Sequence, residues 1–304
     1  MLDAYIYNGL RTPFGRHAGK LATVRTDDLA GGVMNAVIAA SPFKAEQIED
    51  VIFGCVNQAG EDSRNVARNA LLAAGLPHSV GGQTVNRLCA SGLAAVIESA
   101  RAVTCNEGAL YLAGGVESMS RAPFVLLKSE SPFAREFKMA DTTIGARFPN
   151  PKLVKQYGND SMPETGDNVA KDFGITRDQA DAFALASQAK FAKAQKDGFM
   201  AGEIAPVTLP PKSKKDEAAT ISVDEHPRET TIETLTKLKS LFEGGVVTAG
   251  NASGINDGAA ALFVGNRAVD CTSCWLGESV RLTRNGRIRG LLWGDLSRLR
   301  FKTV

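Results

Sequence analysis

Residues 83–115, QTVNRLCASGLAAVIESARAVTCNEGALYLAGG, carry the alternation that decides the fold. Gln83 to Asn86 read as the end of a strand. From Leu88 to Val103 the apolar residues Leu93, Val96, Ile97, Ala100 and Val103 recur at helical spacing, while Glu98 and Arg101 face the other way. Ala109 to Gly115 is then an apolar run of strand length. Strands alternating with helices in this manner indicate a parallel sheet with covered faces.

The same alternation runs upstream. Residues 3–9 read as a strand, and Asp28 to Ala40 as a helix with Leu29, Val33, Ala36 and Val37 on its apolar side. Asp50 to Val56 is a second strand built on Val51, Ile52 and Phe53. Arg64 to Ala74 is a helix closed by Gly75, a residue that tolerates the left-handed conformation at a helix end. Downstream the pattern changes. Residues 122–175 are rich in Pro, Gly, Met and charge, which predicts long loops. Thr176 to Asp197 is a helix: Thr176 and Gln179 form a capping box, Ala180, Phe183, Ala184, Ser187 and Phe191 repeat on one face, and Gly198 closes it. Pro210 to Glu225 reads as a solvated connection whose lysines need no partner. Ala259 to Val264 is a last strand after the turn-rich stretch 250–258.

These elements place residues 1–269 in one α/β domain. It is expected to have a mixed, mainly parallel sheet covered by helices, with a loop-rich insertion at about 120–245 between strands of that sheet. The chain of 304 residues is 44% hydrophobic, enough to bury a large core. Charged residues are 22% and the formal net charge is +2, so no charge bias points to nucleic acid. The apolar runs are far shorter than the roughly 18 residues of a membrane span, and the N-terminus has no signal-peptide pattern. Five scattered cysteines do not make a disulfide scaffold, and a reducing cytoplasm is the default location.

Residues 270–304 differ in composition, with seven basic residues against Asp270, Glu278 and Asp295, and with Trp275 and Trp293. A basic interaction tail is one reading. Translation in a shifted frame is the other, and it is favoured because the Arg, Trp and Cys bias sets in abruptly. Cys271 and Cys274 form a CxxC, but without a second pair it is a weak argument for zinc or redox chemistry.

Cys89 is the candidate for chemistry. It stands between a strand and the start of a helix, where the helix dipole and unpaired N–H groups favour a thiolate. Ala90, Ser91 and Gly92 add almost no bulk, so a carbonyl could approach the sulfur, and the Cys89 N–H could help hold an oxyanion. The competing reading is a buried small hydrophobe, as most free cysteines are.

The segment Asn86-Arg87-Leu88-Cys89-Ala90-Ser91-Gly92-Leu93 resembles the nucleophile motif of thiolases, and three other stretches match that family in order. Arg11-Thr12-Pro13-Phe14-Gly15 looks like its N-terminal RTPxG element. Gly114 to Pro123 (GGVESMSRAP) is similar to the segment after the strand beside the nucleophile. Thr248 to Ala260 (TAGNASGINDGAA) resembles the coenzyme A loop. Together they span residues 1 to about 268. The resemblance implies a thiolase-like layered fold and a ping-pong reaction. In it Cys89 attacks the 3-keto group of a 3-oxoacyl-CoA, acetyl-CoA leaves, and free CoA takes the shortened acyl group from the thioester. It implies no tightly bound cofactor and no metal, CoA as substrate, no nucleic-acid or membrane partner, and a homo-oligomer.

Carried over residue by residue, the resemblance assigns Ser253 to the pantetheine, Arg228 to the nucleotide end of CoA, Thr234 and Ala249 to further CoA contacts, and Met162 to the acyl pocket. Guanidinium suits phosphate pairing and adenine stacking, although on its own Arg228 reads as a solvated charge. Likewise the residues around Ser253 also fit a plain Asn/Gly turn. Asn57 to Asp62, Asp141 to Gly145 and Asp160 to Thr165 look most like β-ketoadipyl-CoA thiolases of aromatic-compound degradation. A general 3-ketoacyl-CoA or acetoacetyl-CoA thiolase, as in fatty acid β-oxidation, is the alternative.

The family also uses a GHP histidine as base, a second cysteine as acid/base partner and an Asn-Glu-Ala-Phe segment for a water. None of these occurs in the sequence, whose histidines are His17, His78 and His226. The resemblance therefore implies a chain without the second of the family's two similar halves and short of full turnover. Losing the base and the acid would each be expected to cost roughly 10²–10⁴-fold. A non-catalytic CoA-binding or assembly protein is the competing function.

Overall fold

A computed structural model describes residues 3–211 and 217–269, together with two short strands at 280–281 and 289–290. The chain opens with β1 (Tyr5–Arg11) and β2 (Gly15–Arg16), then α1 (Thr26–Ala39), β3 (Asp50–Gly54), α2 (Val66–Ala73), β4 (Gly81–Val85), α3 (Ser91–Thr104) and β5 (Leu110–Ser118). Next come the hairpin β6 (Phe124–Leu126) and β7 (Met139–Asp141), and the helices α4 (Pro151–Tyr157), α5 (Met162–Phe173) and α6 (Arg177–Lys196). A second hairpin, β8 (Val207–Leu209) and β9 (Ala219–Ile221), leads to α7 (Ile232–Thr236). The main sheet is completed by β10 (Asn256–Gly265), β11 (Val280–Arg281) and β12 (Arg289–Gly290).

The sheet order is β12-β11-β1-β10-β5-β3-β4, with β2 beside β10. β3 pairs in parallel with both β4 and β5, whereas β10 is antiparallel to β5 and to β1. β1, β3, β4 and β5 therefore share one direction and β10 opposes them. The sheet is thus mixed, with most of its strands running one way and its parallel pairs between β3 and its neighbours β4 and β5. β5 and β10 are neighbours over nine residue pairs, Asp257 opposite Ser118 through Gly265 opposite Leu110. Residues 119–255 thus leave the sheet and return to the strand beside the one they left.

Period-two alternation sorts each strand between two cores. Val51 and Phe53 of β3, Leu110 and Leu112 of β5, and Ala261 and Phe263 of β10 face α1 and α2. Ile52, Tyr111, Ala113 and Val264 face the other way, against Ala95, Val96, Ala100 and Val103 of α3. Burial on both faces is why these strands read as apolar runs and not as alternating ones. Phe43 joins Tyr7 to Phe263 by edge-on ring contacts at 5.5 and 5.1 Å.

The insertion departs from expectation in three ways. Long loops were expected across 122–175, yet α4 and α5 lie there. α5 starts at a full capping box, in which the Ser161 N–H donates to Glu164 Oε2 (2.7 Å) and the Glu164 N–H to Ser161 Oγ (3.4 Å). It ends at Gly174 with φ +65°. Only Ala170 of this helix is buried, so there is no apolar stripe to see in the sequence. α6 has the expected cap, but its buried residues are Asp181 and Ala194, while Phe183 is 77% exposed. The stretch 210–225 is not wholly solvated either: Ile221 joins the main core and Asp224 is buried. Its lysines at 212, 214 and 215 lie outside the described residues, as do Cys271, Cys274, Trp275 and Trp293 of the basic segment. Within that segment β11 pairs with β1 and β12 with β11. Among the described residues no helix is long and apolar enough to cross a membrane.

Phe53 is fully buried at the centre of the sheet. Phe53→Ala is expected to destabilise the chain by about 3–5 kcal/mol, measured as a shift in the urea midpoint with little change in slope.

Candidate active site

Cys89 sits in a tight turn between β4 and α3, and it is exposed. The turn is held by its own polar groups. The Leu88 N–H donates to Asn86 Oδ1 (3.0 Å) and the Arg87 N–H to Ser91 Oγ (2.7 Å), while the Ser91 hydroxyl donates to the Leu88 carbonyl (2.6 Å). The N–H groups of Ala90 and Ser91 bond the carbonyls of Arg87 and Leu88 at 3.1 and 2.9 Å. The Cys89 N–H is not among these. Leu88 has φ +51°, a left-handed conformation unusual for a branched residue. That reversal lifts Cys89 out of the strand and presents it just ahead of the first turn of α3. The alternative of a buried, inert thiol is ruled out by its exposure.

Close backbone packing fixes where this turn stands. A Cβ on Gly54, the last residue of β3, would lie 2.4 Å from the Ser91 carbonyl carbon. One on Gly114 would lie 2.0 Å from the carbonyl oxygen of Ala260. The start of α3 therefore rests directly on the C-terminal end of the parallel strands, the edge at which α/β sheets present their ligand sites.

The segment GGVESMSRAP ties the loops of that edge together. Glu117 accepts the N–H groups of Val56 (2.9 Å) and Asn57 (3.0 Å), and Asn86 Nδ2 donates to the Val56 carbonyl (3.2 Å). The Ser120 N–H donates to Asp257 Oδ1 (2.9 Å), and Arg121 pairs with Glu61. Cys55, Asp62 and Glu117 bring donor atoms within 4.8 Å of one another, the one group of metal-ligating types among the described residues. Its atoms are already engaged: Asp62 accepts the Gly60 N–H at 2.9 Å and faces the Cys55 sulfur at 3.7 Å. Burial, with Glu117 and Asp62 adding to it, pushes the Cys55 thiol up, and burial pushes the Glu117 carboxyl up too. The cluster is a structural clasp.

The remaining sequence-derived positions gather around the start of β10, which runs antiparallel and so begins at this same edge. Arg228 is exposed, its N–H donates to Gln188 Oε1 (3.2 Å), and its guanidinium donates to the Ala249 carbonyl (2.5 Å). Thr234, exposed on α7, has its hydroxyl 3.2 Å from that of Thr231, the residue that caps the helix. A Cβ on Gly250 would meet Leu235 and Leu238 at 2.5 Å, so α7 lies against the loop. Ser253 is exposed and Gly254 packs on the His226 ring. Burial lowers the His226 imidazole, and the charge of Arg228 adds to this. Arg228, Thr234, Ala249 and Ser253 thus form one surface. Met162 is 74% exposed at the first position of α5, and Asp167 of that helix accepts the N–H groups of Val246 and Val247 (2.7 and 2.9 Å).

Sequence reasoning missed the residues that hold this surface. Arg11, quoted only as part of a motif, makes a two-pronged pair with Asp224 (2.7 and 3.0 Å), bonds Glu203 (2.9 Å) and lies over the Phe14 ring. It anchors the segment that carries His226 and Arg228. On α6, Arg177 and Asp181 do similar work. The available signal was a charge pair at i, i+4 with Asp181 among apolar neighbours.

Residues 4–268 match the sequence profile of the thiolase N-terminal domain. The chain is 56% identical over 267 residues to the 3-oxoadipyl-CoA/3-oxo-5,6-dehydrosuberyl-CoA thiolase of Escherichia coli (strain K12), covering 87% of this chain and 66% of that protein. It is 52% identical over 303 residues to the beta-ketoadipyl-CoA thiolase of Pseudomonas putida, covering 98% and 72%. Its structure superposes on that of human mitochondrial 3-ketoacyl-CoA thiolase with a TM-score of 0.81 at 32% identity, over 91% of this chain and 69% of that one. At 66% of the Escherichia coli protein, the chain spans just under two thirds of that relative's length.

Of the three described cysteines, Cys89 and Cys105 are exposed and Cys55 is buried with its thiol pushed up. Iodoacetamide at neutral pH is expected to label Cys89 and Cys105 and spare Cys55, as read by peptide mass spectrometry. Gly54→Ala is expected to alter the Cys89 rate selectively, because the added methyl displaces the start of α3.

Proposed function

Since the chain belongs to the thiolase family, we propose that it carries the nucleophile and the CoA-binding surface of an acyl-CoA acyltransferase acting on 3-oxoadipyl-CoA. The observation that carries this reading is the exposed Cys89 at the strand-to-helix turn, on the same sheet edge as Arg228, Thr234, Ala249 and Ser253. The substrate class rests on the names of the relatives from Escherichia coli and Pseudomonas putida.

The chemistry follows from sulfur. The Cys89 thiolate adds to the C3 carbonyl of the 3-oxoacyl-CoA, and the electron pair moves to oxygen. Collapse breaks the C2–C3 bond, and C2 takes a proton to leave as acetyl-CoA. The remaining succinyl group is held as a thioester on Cys89. The thiol of a second CoA, giving up its proton, attacks that thioester and releases succinyl-CoA and the free cysteine. Two easier steps replace one hard one, and thiolate serves as attacking and leaving group. The small residues after Cys89 leave room for the carbonyl, and the Cys89 N–H offers a donor to the developing oxyanion. Arg228 offers a cation for the phosphates of CoA and Ser253 a hydroxyl for the pantetheine arm.

The step that needs only Cys89 and CoA is acyl exchange between the two thiols. Mixing the chain with succinyl-CoA is expected to leave a succinyl thioester on the Cys89 peptide, labile to hydroxylamine and absent from Cys89→Ser. CoA binding without any adduct at alkaline pH would leave a CoA-binding protein and remove the acyltransferase.

A further inference from the structure

Four positions proposed to meet CoA come from three separate pieces of chain: the loop around Ala249 and Ser253, the helix α7 with Thr234, and the strap bearing Arg228. Exposed polar residues on short loops do not hold a common geometry by themselves. What joins them lies behind, on α6.

Asp181 is fully buried near the start of that helix. Its two oxygens have different partners: Oδ2 accepts from Arg177 Nε (2.7 Å) and Oδ1 from Asn251 Nδ2 (2.9 Å). Each partner reaches a different piece of the surface. Arg177 Nη2 donates to the carbonyls of Leu235 (2.6 Å) and Leu238 (3.0 Å), at and just past the end of α7. Asn251 Nδ2 also donates to the Val246 carbonyl (2.9 Å), and its Oδ1 accepts the Thr248 N–H (2.7 Å), which closes the loop on itself. The loop in turn presents the Ala249 carbonyl to the Arg228 guanidinium.

We infer that Asp181 is the positioning residue of the CoA surface: through Arg177 it sets α7, and through Asn251 it sets the 246–253 loop and with it Arg228. The inference rests on the CoA reading of that surface. A buried carboxylate suits the task because it accepts only, and both groups facing it are donors. An amide of the same size cannot replace it. In Asp181→Asn one side-chain atom becomes an NH2, so either Arg177 Nε or Asn251 Nδ2 faces a donor, and one of the two elements is released. The Cys89 turn uses none of these bonds and is left as it was.

The test compares the full chain with Asp181→Asn and with Asn251→Ala, which removes the loop-side arm together with the bonds of Asn251 to Val246 and Thr248 and leaves the Arg177–Asp181 pair in place. Three readings are taken on folded protein: CoA affinity by calorimetry, hydrogen exchange at the Thr248 amide, and the rate of Cys89 alkylation by iodoacetamide. The expected result is CoA binding weakened by about tenfold or more in both variants. Thr248 should exchange faster, and Cys89 alkylation should stay unchanged. A merely structural role would lower the melting temperature but leave CoA affinity of the folded fraction intact, and that result overturns the inference. Unchanged Thr248 exchange overturns it as well. If the unsubstituted chain binds no CoA, the CoA assignment of the surface falls, and the exchange rates still decide separately whether Asp181 holds the loop.

Discussion

Gly54 ends β3 against the backbone of Ser91, with 2.4 Å where a Cβ would meet the carbonyl carbon. No side chain fits there, so the first turn of α3 lies directly on the sheet. From that contact follow the sharp reversal at Leu88, the exposure of Cys89 ahead of the helix, and the role of Ser91 in closing the turn through its hydroxyl. The Gly114 contact with Ala260 repeats the device one strand over and draws β10 tightly against β5. Since β10 is antiparallel, the loop ahead of it arrives at the same edge as Cys89. Topology, more than any one side chain, brings thiol and loop to one edge of the sheet.

One charge pair shielded from solvent ties the insertion to the sheet, and a second braces it from within. Arg11 with Asp224 and Arg177 with Asp181 each combine short, directional hydrogen bonds with a buried carboxylate. Removing one partner of such a pair strands the other, which makes these pairs strict about geometry. The exposed pairs Arg101–Glu98 and Lys193–Asp197 bind no separate elements together and contribute little. The distinction explains how a segment with few buried apolar residues still holds a defined surface.

Much of the sheet was legible because its strands are buried on both faces and its helices carry apolar faces. On α3, though, Leu93, expected inside, is 63% exposed, and the buried face runs instead through Ala94, Ala95, Val96, Ser99, Ala100 and Val103. The position of Cys89 between strand and helix was legible for the same reason. α5 was not, since only Ala170 is buried and its evidence lay solely in the Ser161–Glu164 cap and Gly174. Phe183 misled in the opposite sense: hydrophobic spacing placed it inside, whereas the buried position belongs to Asp181 with its two donors. Arg11 and Asp224 stand 213 residues apart, and no local pattern announces a pair at that separation. Arg228 read alone as a solvated charge, and it is exposed; its bond to the Ala249 carbonyl gives it a place in the surface.

In the proposed function thiol and loop serve a single bound molecule, and a protection experiment tests this most directly. Cys89 and Cys105 are both exposed, at opposite ends of α3. With CoA at saturation, as verified by calorimetry, the alkylation of Cys89 is expected to slow while that of Cys105 proceeds as before. Equal rates at Cys89 with and without bound CoA would contradict it, because the arm of the molecule would then lie somewhere other than over the sulfur.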